Sequence, residues 1–564
     1  MAGTILTPSA IWNGFHILET PKAQVIDTKK DGDIVFDRLF IDGRTLKDGK
    51  VKIFGVMAKN RQNPIAPAIL LIQDFNHGTD ERLVKTIAKH GFTVLSIDLA
   101  GARENKEFFT EYPEEISYAN YNNVKDDLCT VKGDATSTCW YEWTSVAKYA
   151  FRYLTELDGV TKVGVFGIGE AATVAWQVAG TEQNLSCAVF ALNAGWSGYR
   201  GIYKFGGMVE PQFSDNMYKF IAGIEPQAYA MHVKCPTLLL SATNSSKFDC
   251  DRAYDTITRI SEDVYSAIHY SVGYRDRVSG DAFINAMHFF NEFLVKEKAD
   301  ENLPSEVEIG AEIMDGEISV KVTPQKGEIK NLYLFVAEET VNPAVRCWQR
   351  FSKGEKQQDG SYIFTVKPYP LSGMITTFAQ AYYKDGTVIG SKIINKKFSE
   401  KEVDAAYKSN IIYSSRLADG ESVFTAENQN DDNPSSINVT DKKRIKLKKG
   451  PMGIEGVTCE WGLLTFKFGT KKDCPKDDAM LMLDCYKKQA GVLTVKLIAD
   501  YTGARTEYLV NVNLTGGDVW QNVKIELSKF KTAEGMSLKN ISKIDAITFG
   551  VDGGEYLINN ALWV

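Results

Sequence analysis

The chain has 564 residues, enough for three or four folding units at about 100–200 residues each. Hydrophobic residues make up 44% and charged residues 24%, as in soluble globular chains, and 65 Lys+Arg against 72 Asp+Glu leave a formal charge of −7. A surface of that sign repels phosphate backbones, and no segment approaches the ~20 apolar residues of a membrane span, so neither nucleic acid nor membrane is an expected partner.

The opening Met1–Pro8 has neither a charged start nor a long apolar stretch, so a cytoplasmic chain is expected, or a secreted one where a leader has been removed. Nine cysteines lie singly, without CxxC pairs or metal-ligand spacing, which points to free buried thiols and no metal.

From Asp33 to about Lys298 strands and helices alternate. Two apolar-rich stretches, Ile34–Ile41 and Lys50–Met57, predict an opening antiparallel pair. The buried run Ala68–Ile72, the helical pattern Glu81–His90 and the run Phe92–Asp98 then form a βαβ unit. The rhythm continues with the helix Trp143–Leu157, strand Lys162–Phe166, helix Glu170–Val178, strands Cys187–Leu192 and Pro236–Ser241, helix Asp251–Ile260, strand Tyr265–Ser271 and helix Ala282–Val295. Such alternation predicts an α/β fold with a parallel sheet covered on both faces.

Past the charged stretch Lys296–Pro304 the helical patterns stop. Short alternating strands such as Ile318–Val322 and Leu332–Val336 predict a small β-sandwich, immunoglobulin-like in size, over residues 301–400. A polar connection is expected from Ser399 to Asn433, and the strands Trp520–Leu527, Ile544–Val551 and Tyr556–Trp563 predict a second sandwich, a jelly roll, over residues 401–564. The basic run Lys442–Lys449 alternates with apolar residues like an edge strand with a solvated face.

The chemistry turns on Val163-Gly164-Val165-Phe166-Gly167-Ile168-Gly169-Glu170-Ala171. A strand, a sharp turn and a helix are the setting of the G-x-S-x-G nucleophile elbow, and here the nucleophile position holds Gly169. In this elbow and in the order of their elements, residues 1–300 resemble the dienelactone hydrolase and acetyl xylan esterase branch of the α/β-hydrolases. The resemblance implies an acid after Pro236–Asn244, where this chain has Ser245. It implies a histidine after the next strand, where Ser271–Arg277 contains none and Asp276 is the best match. A hydroxyl, an imidazole and a carboxylate are needed together, so three substituted positions predict loss of the chemistry.

Other residues in the segment offer related chemistry. Asp251 reads as the cap or first-turn carboxylate of the following helix, with Asp249 beside it. His77 and Asn76, in Asp74-Phe75-Asn76-His77-Gly78, fall at the expected active-site edge with Gly167 and could line a pocket. His269 and His288 read as packing residues, and Cys139 offers a thiol at a helix start. Gly167-x-Gly169-x-x-Ala172 also matches part of a dinucleotide fingerprint, but the next strand ends in Asn193 rather than an acid, so no cofactor is expected.

The last unit resembles the carbohydrate-binding jelly rolls attached to esterases and glycosidases, through the Trp520 strand and the closing strand Ile558–Trp563. The resemblance implies sugar binding through aromatic faces, with Trp461, Trp520, Tyr501 and Tyr508 as candidates. The resulting expectation is an inactive hydrolase-like domain with two β-modules, serving as a binding, scaffold or self-assembling protein for a carbohydrate or protein partner or for its own copies. The alternative is a carbohydrate esterase working with non-standard residues.

Overall fold

The structure is a computed structural model and describes residues 4–76, 78–104, 106–200, 211–300, 303–340, 342–418, 420–427, 437, 439 and 444–564. A nine-stranded sheet organises the N-terminal half: β1 (Ala23–Asp31), β2 (Ile34–Leu46), β3 (Gly49–Asn60), β4 (Ala66–Ile72), β5 (Thr93–Ile97), β6 (Val160–Ile168), β7 (Cys187–Ala191), β8 (Thr237–Ala242) and β9 (Ser266–Ser271). Their order is β1-β2-β3-β5-β4-β6-β7-β8-β9. Strands β1, β2, β3 and β5 pair antiparallel, and β5, β4, β6, β7, β8 and β9 pair parallel.

The helices are α1 (Pro8–Trp12), α2 (Glu81–Ala88), α3 (Tyr121–Val124), α4 (Cys139–Thr155), α5 (Ala172–Thr181), α6 (Asp215–Gly223), α7 (Pro226–Ala230), α8 (Cys250–Ile257) and α9 (Gly280–Phe290). One face of the sheet packs against α4, α5 and α8, with Leu70, Val165 and Phe190 meeting Trp143, Val174 and Ala253. The other packs against α2 and α9, with Ile69, Leu71 and Phe166 meeting Val84, Ile87 and Phe290. Every residue of β4, β5, β7 and β8 is buried, which is why these strands read as continuous apolar runs.

The architecture expected of this half is present, with an added strand. Three antiparallel strands open the sheet, not two. The extra one, β1, is an edge strand whose residues are nearly all exposed, so it carries no apolar alternation to betray it. Helix α8 starts at Cys250 and is capped by Asp249, whose Oδ1 accepts from Arg252 N at 3.0 Å. Asp251 is therefore a first-turn residue and not the cap.

The C-terminal half is built of antiparallel sheets in two units. The first joins a four-stranded sheet (Glu308–Met314, Glu317–Thr323, Tyr362–Val366, Glu355–Lys356) to a five-stranded one (Gln349–Phe351, Ile329–Glu338, Met374–Tyr383, Val388–Gly390, Ile394–Lys397). The second joins a six-stranded sheet (Lys446–Lys449, Glu455–Thr458, Tyr556–Trp563, Met480–Lys487, Gln521–Glu526, Ile411–Ser414) to a five-stranded one (Thr425–Ala426, Leu463–Thr465, Ile544–Val551, Gly491–Ala499, Thr506–Leu514). The stretch expected to be a mere connection thus supplies Ile411–Ser414 to one sheet and Thr425–Ala426 to the other. Lys446–Lys449 is an exposed edge strand, while Lys442 and Lys443 lie outside the described residues. No helix among the described residues is long and apolar enough to cross a membrane.

The first β-unit covers the β9 edge of the α/β sheet. Gln380 acts there as a surrogate strand: its Oε1 accepts from Tyr270 N at 2.8 Å and its Nε2 donates to Tyr270 O at 3.1 Å. Asn285 of α9 does the same for Val388, donating to its carbonyl at 2.8 Å and accepting from its N–H at 3.1 Å. The backbone groups of Tyr270 on this edge, and of Val388 facing it, thereby find partners across the boundary.

Candidate functional site

The site lies where β4, β6 and β7 end. Strand β6 turns at Gly169 into one turn of 3-10 helix, Gly169–Ala171, and then α5. Gly169 has φ +66°, the left-handed backbone that glycine adopts without strain. Gly167 is buried, and a Cβ there would come within 2.4 Å of the Ala175 Cβ, so it serves close packing of β6 on α5.

The space a side chain at Gly169 would need is filled by a carboxylate from the neighbouring strand. A Cβ added at Gly169 would lie 2.4 Å from Asp74 Oδ2 and 2.7 Å from its Cγ. The register explains this: β4 and β6 pair parallel with Ile72 beside Gly167, so two residues later Asp74 comes beside Gly169. Asp74 Oδ1 accepts from Phe75 N at 2.9 Å. Burial pushes its pKa up to about 6, opposed by the nearby Lys247 cation and reinforced by the Glu170 carboxylate.

Glu170, the residue after Gly169, is engaged by Lys247 at 3.0 Å. Asn193, at the end of β7, donates to Gly169 O at 2.9 Å and holds the turn from the far side. Tyr121 stacks on Phe75 at 4.7 Å and closes the site toward α4. The sequence pattern of the elbow contains Glu170 but gives no place in it to Asp74, Lys247 or Asn193. The signal that could have found Asp74 is its place two residues past a strand adjacent to β6.

The two loops expected to carry acid and base are committed elsewhere. Ser245 is buried, and its Oγ accepts from Phe248 N at 3.0 Å within its own turn. Its neighbour Asn244 donates to Arg346 O at 2.9 Å in the first β-unit. Asp251 forms a two-pronged ion pair with Arg346 at 2.7 and 2.8 Å, again across the domain boundary. Asp276 is exposed. The loop around it docks on the second β-unit: Arg275 Nη2 donates to the Ala426 and Glu427 carbonyls, and Thr425 Oγ1 donates to Gly273 O at 3.0 Å.

The other named residues are dispersed. Asn76 is exposed, and His77 lies outside the described residues. Cys139 is buried at the start of α4, and burial pushes its thiol pKa up, away from the nucleophilic thiolate. His269 is fully buried, its Nδ1 facing Asn285 Nδ2 at 3.2 Å, and burial holds its imidazole below the ordinary value despite Asp281. His288, expected to pack inside, is exposed on α9.

The four aromatic candidates share no platform. Trp461 is half-buried with Arg444 over its ring at 4.7 Å. Tyr501 lies between Arg275 at 5.6 Å and Arg505 at 5.2 Å, at the contact with the α/β domain. Tyr508 packs against the core of the last unit, and Trp520 donates from Nε1 to Pro451 O at 3.2 Å.

No protein-family model matches the chain. No curated protein matches it either. Among solved structures, it is similar to an acetyl xylan esterase from Paenibacillus sp. R4, with 16% identity and a TM-score of 0.39 over 51% of this chain and 92% of that one. It is also similar to acetyl xylan esterase 1 from Thermoanaerobacterium sp. JW/SL YS485 (14% identity, TM-score 0.36, 48% and 88% covered). A glucuronoyl esterase from Solibacter usitatus is a third such structure, at 12% identity and a TM-score of 0.34, with 50% and 90% covered.

Proposed function

We propose that this protein is a degenerate α/β-hydrolase that has lost acyl transfer and serves as a binding or scaffold protein. Its two β-units are then an immunoglobulin-like sandwich and a carbohydrate-binding-type jelly roll, and its partner is a glycan, a protein or a second copy of the chain. The observation that carries this reading is Asp74 over Gly169. Acyl transfer by this fold needs a nucleophile at the elbow and backbone donors, from the turn and from the loop after β4, aimed at a developing oxyanion. Here the turn offers a hydrogen atom, and the loop after β4 offers a carboxylate in the same volume. A carboxylate beside a forming oxyanion raises the barrier that donors would lower. Asp251 and Arg275, tied to the β-units, leave the acid and base loops serving assembly in place of catalysis.

The test is hydrolysis of a small acetyl ester by the purified full chain, beside heat-denatured protein and a Gly169→Ser variant. Neither form is expected to exceed the denatured control, because the serine Cβ meets Asp74 at a backbone that strains any side chain. Saturable turnover by the unaltered chain would overturn the reading and require another nucleophile.

A further inference from the structure

In the six-stranded sheet, Leu481, Leu483 and Cys485 point into the core with Val523 and Ile525, so the residues alternating with them face outward. The register sets Asn560, Asp484 and Asn522 side by side on three adjacent strands of that outer face. Asn522 Nδ2 and Asn560 Nδ2 each donate to a different oxygen of Asp484, both at 2.9 Å. A bulge in the pairing brings Asn559 into the same row: it accepts from Asn560 Nδ2 at 2.7 Å and donates to Ser415 Oγ at 2.6 Å. The result is a continuous rail of amides around one carboxylate.

Aromatic rings stand at the end of the rail. Tyr486, two residues beyond Asp484 on the same face, lies 5.9 Å from Trp520 between ring centroids. The Trp520 indole rests on Gly450 and Gly456, where any Cβ would come within 2.8 and 2.9 Å of the ring. Seated on bare backbone and pinned through Nε1, the half-buried ring is held before any ligand arrives.

We infer that this outer face, with Asp484 at its centre and Trp520 at its end, binds a neutral polysaccharide chain. The inference rests on the reading of the protein as a binding module and gives that reading a ligand class and a site. Vicinal hydroxyls can donate to the Asp484 carboxylate and accept from the second amide hydrogen of Asn522, and the apolar face of a sugar ring suits an aromatic surface. Charge favours a neutral occupant. Lys524 and Glu526, the exposed charges on the adjoining strand, balance each other, and a polyanion would meet the Asp484 carboxylate at the centre of the face. The site lies apart from Trp461 and Tyr501, which are covered by arginines.

The experiment is affinity electrophoresis of the full chain in gels holding arabinoxylan, a mixed-linkage glucan or galactomannan, with polygalacturonate as the charged counterpart. At least one neutral polymer is expected to retard the protein, and Asp484→Ala, on a solvent-facing surface, is expected to weaken that binding about tenfold with an unchanged circular dichroism spectrum. Trp520→Ala should weaken it as well. Retardation that survives Asp484→Ala, no retardation by any neutral polymer, or tighter binding to polygalacturonate would each overturn the inference. A chain inert toward the acetyl ester that also ignores all three neutral polymers leaves the loss of catalysis standing and removes the glycan site. Ester turnover together with Asp484-dependent retardation does the reverse.

Discussion

Arg346→Ala is expected to destabilise the folded chain by about 3–5 kcal/mol, seen as a lower urea midpoint of the transition that reports the α/β domain and first β-unit together. The side chains of Arg346 and Asp251 are 0% and 1% exposed, and two parallel hydrogen bonds of 2.7 and 2.8 Å join them. Burial alone would lower the pKa of the guanidinium, but the facing Asp251 carboxylate more than offsets this and holds it above the ordinary value. Removing the arginine leaves a carboxylate buried without its cation, and that uncompensated charge, more than the lost attraction, supplies the cost. Arg346 Nε also donates to Thr340 O at 3.1 Å, so its loop loses an anchor too. Arg346→Lys should fail to rescue, because an ammonium cannot reproduce the fork. The pair Asp251→Leu with Arg346→Met should recover most of the loss, since replacing both partners removes the buried charge. A midpoint unmoved by Arg346→Ala would show that the two units are held by their other contacts and that the ion pair adds nothing to them.

That ion pair also marks where reading from sequence stops. The alternation of buried runs with helical patterns located nearly every element of the α/β sheet, because strands covered on both faces must be apolar throughout and their helices must repeat every three to four residues. Strand β1 escaped for the converse reason. Exposed at an edge, its Ala-Gln-Val-Ile-Asp-Thr-Lys-Lys-Asp carries no burial signal, and only pairing with β2 makes it a strand. Helices α6 and α7, between β7 and β8, go unread although Ser214 caps the first and Pro226 opens the second.

For the site, sequence located the strand, sharp turn and helix around Gly169, because such a turn is a local pattern on contiguous residues. It could not place Asp74 beside Gly169, since that neighbourhood exists only once β4 and β6 pair in register. Nor could it see that Asp251 reaches Arg346, 95 residues away, or that Arg275 is spent on the backbone of Ala426. The aromatic candidates show the same limit. Side-chain type named Trp520 as a ring, but cross-strand register was needed to put Tyr486 beside it and Asp484 two residues further along the face.

Asp74→Asn is expected to raise stability by about 2–3 kcal/mol at pH 8 and to change it little at pH 4. Asp74 is pushed up to about 6 in the folded protein, against about 3.9 in an unfolded chain, so between those values the folded state binds the extra proton. Stability from this group is therefore fully present below pH 4 and is lost as pH rises through 6, the opposite of a carboxylate held by a salt bridge. Desolvation is the leading cause, and the Lys247 cation, engaged at 3.0 Å by Glu170, only partly relieves it. Asparagine keeps the shape and carries no charge at either pH. The measurement is the thermal midpoint of both proteins at pH 4, 6 and 8. A gain that grows with pH supports a strained carboxylate over the elbow, and an equal effect at all three would show that Asp74 ionises as freely as in solvent. The same substitution site links charge to geometry. Gly169→Ser should destabilise the protein less in an Asp74→Ala background than alone, because the carboxylate 2.4 Å from the new Cβ is then gone. Additive effects would mean that backbone strain at φ +66°, and not Asp74, is what forbids a side chain at the elbow.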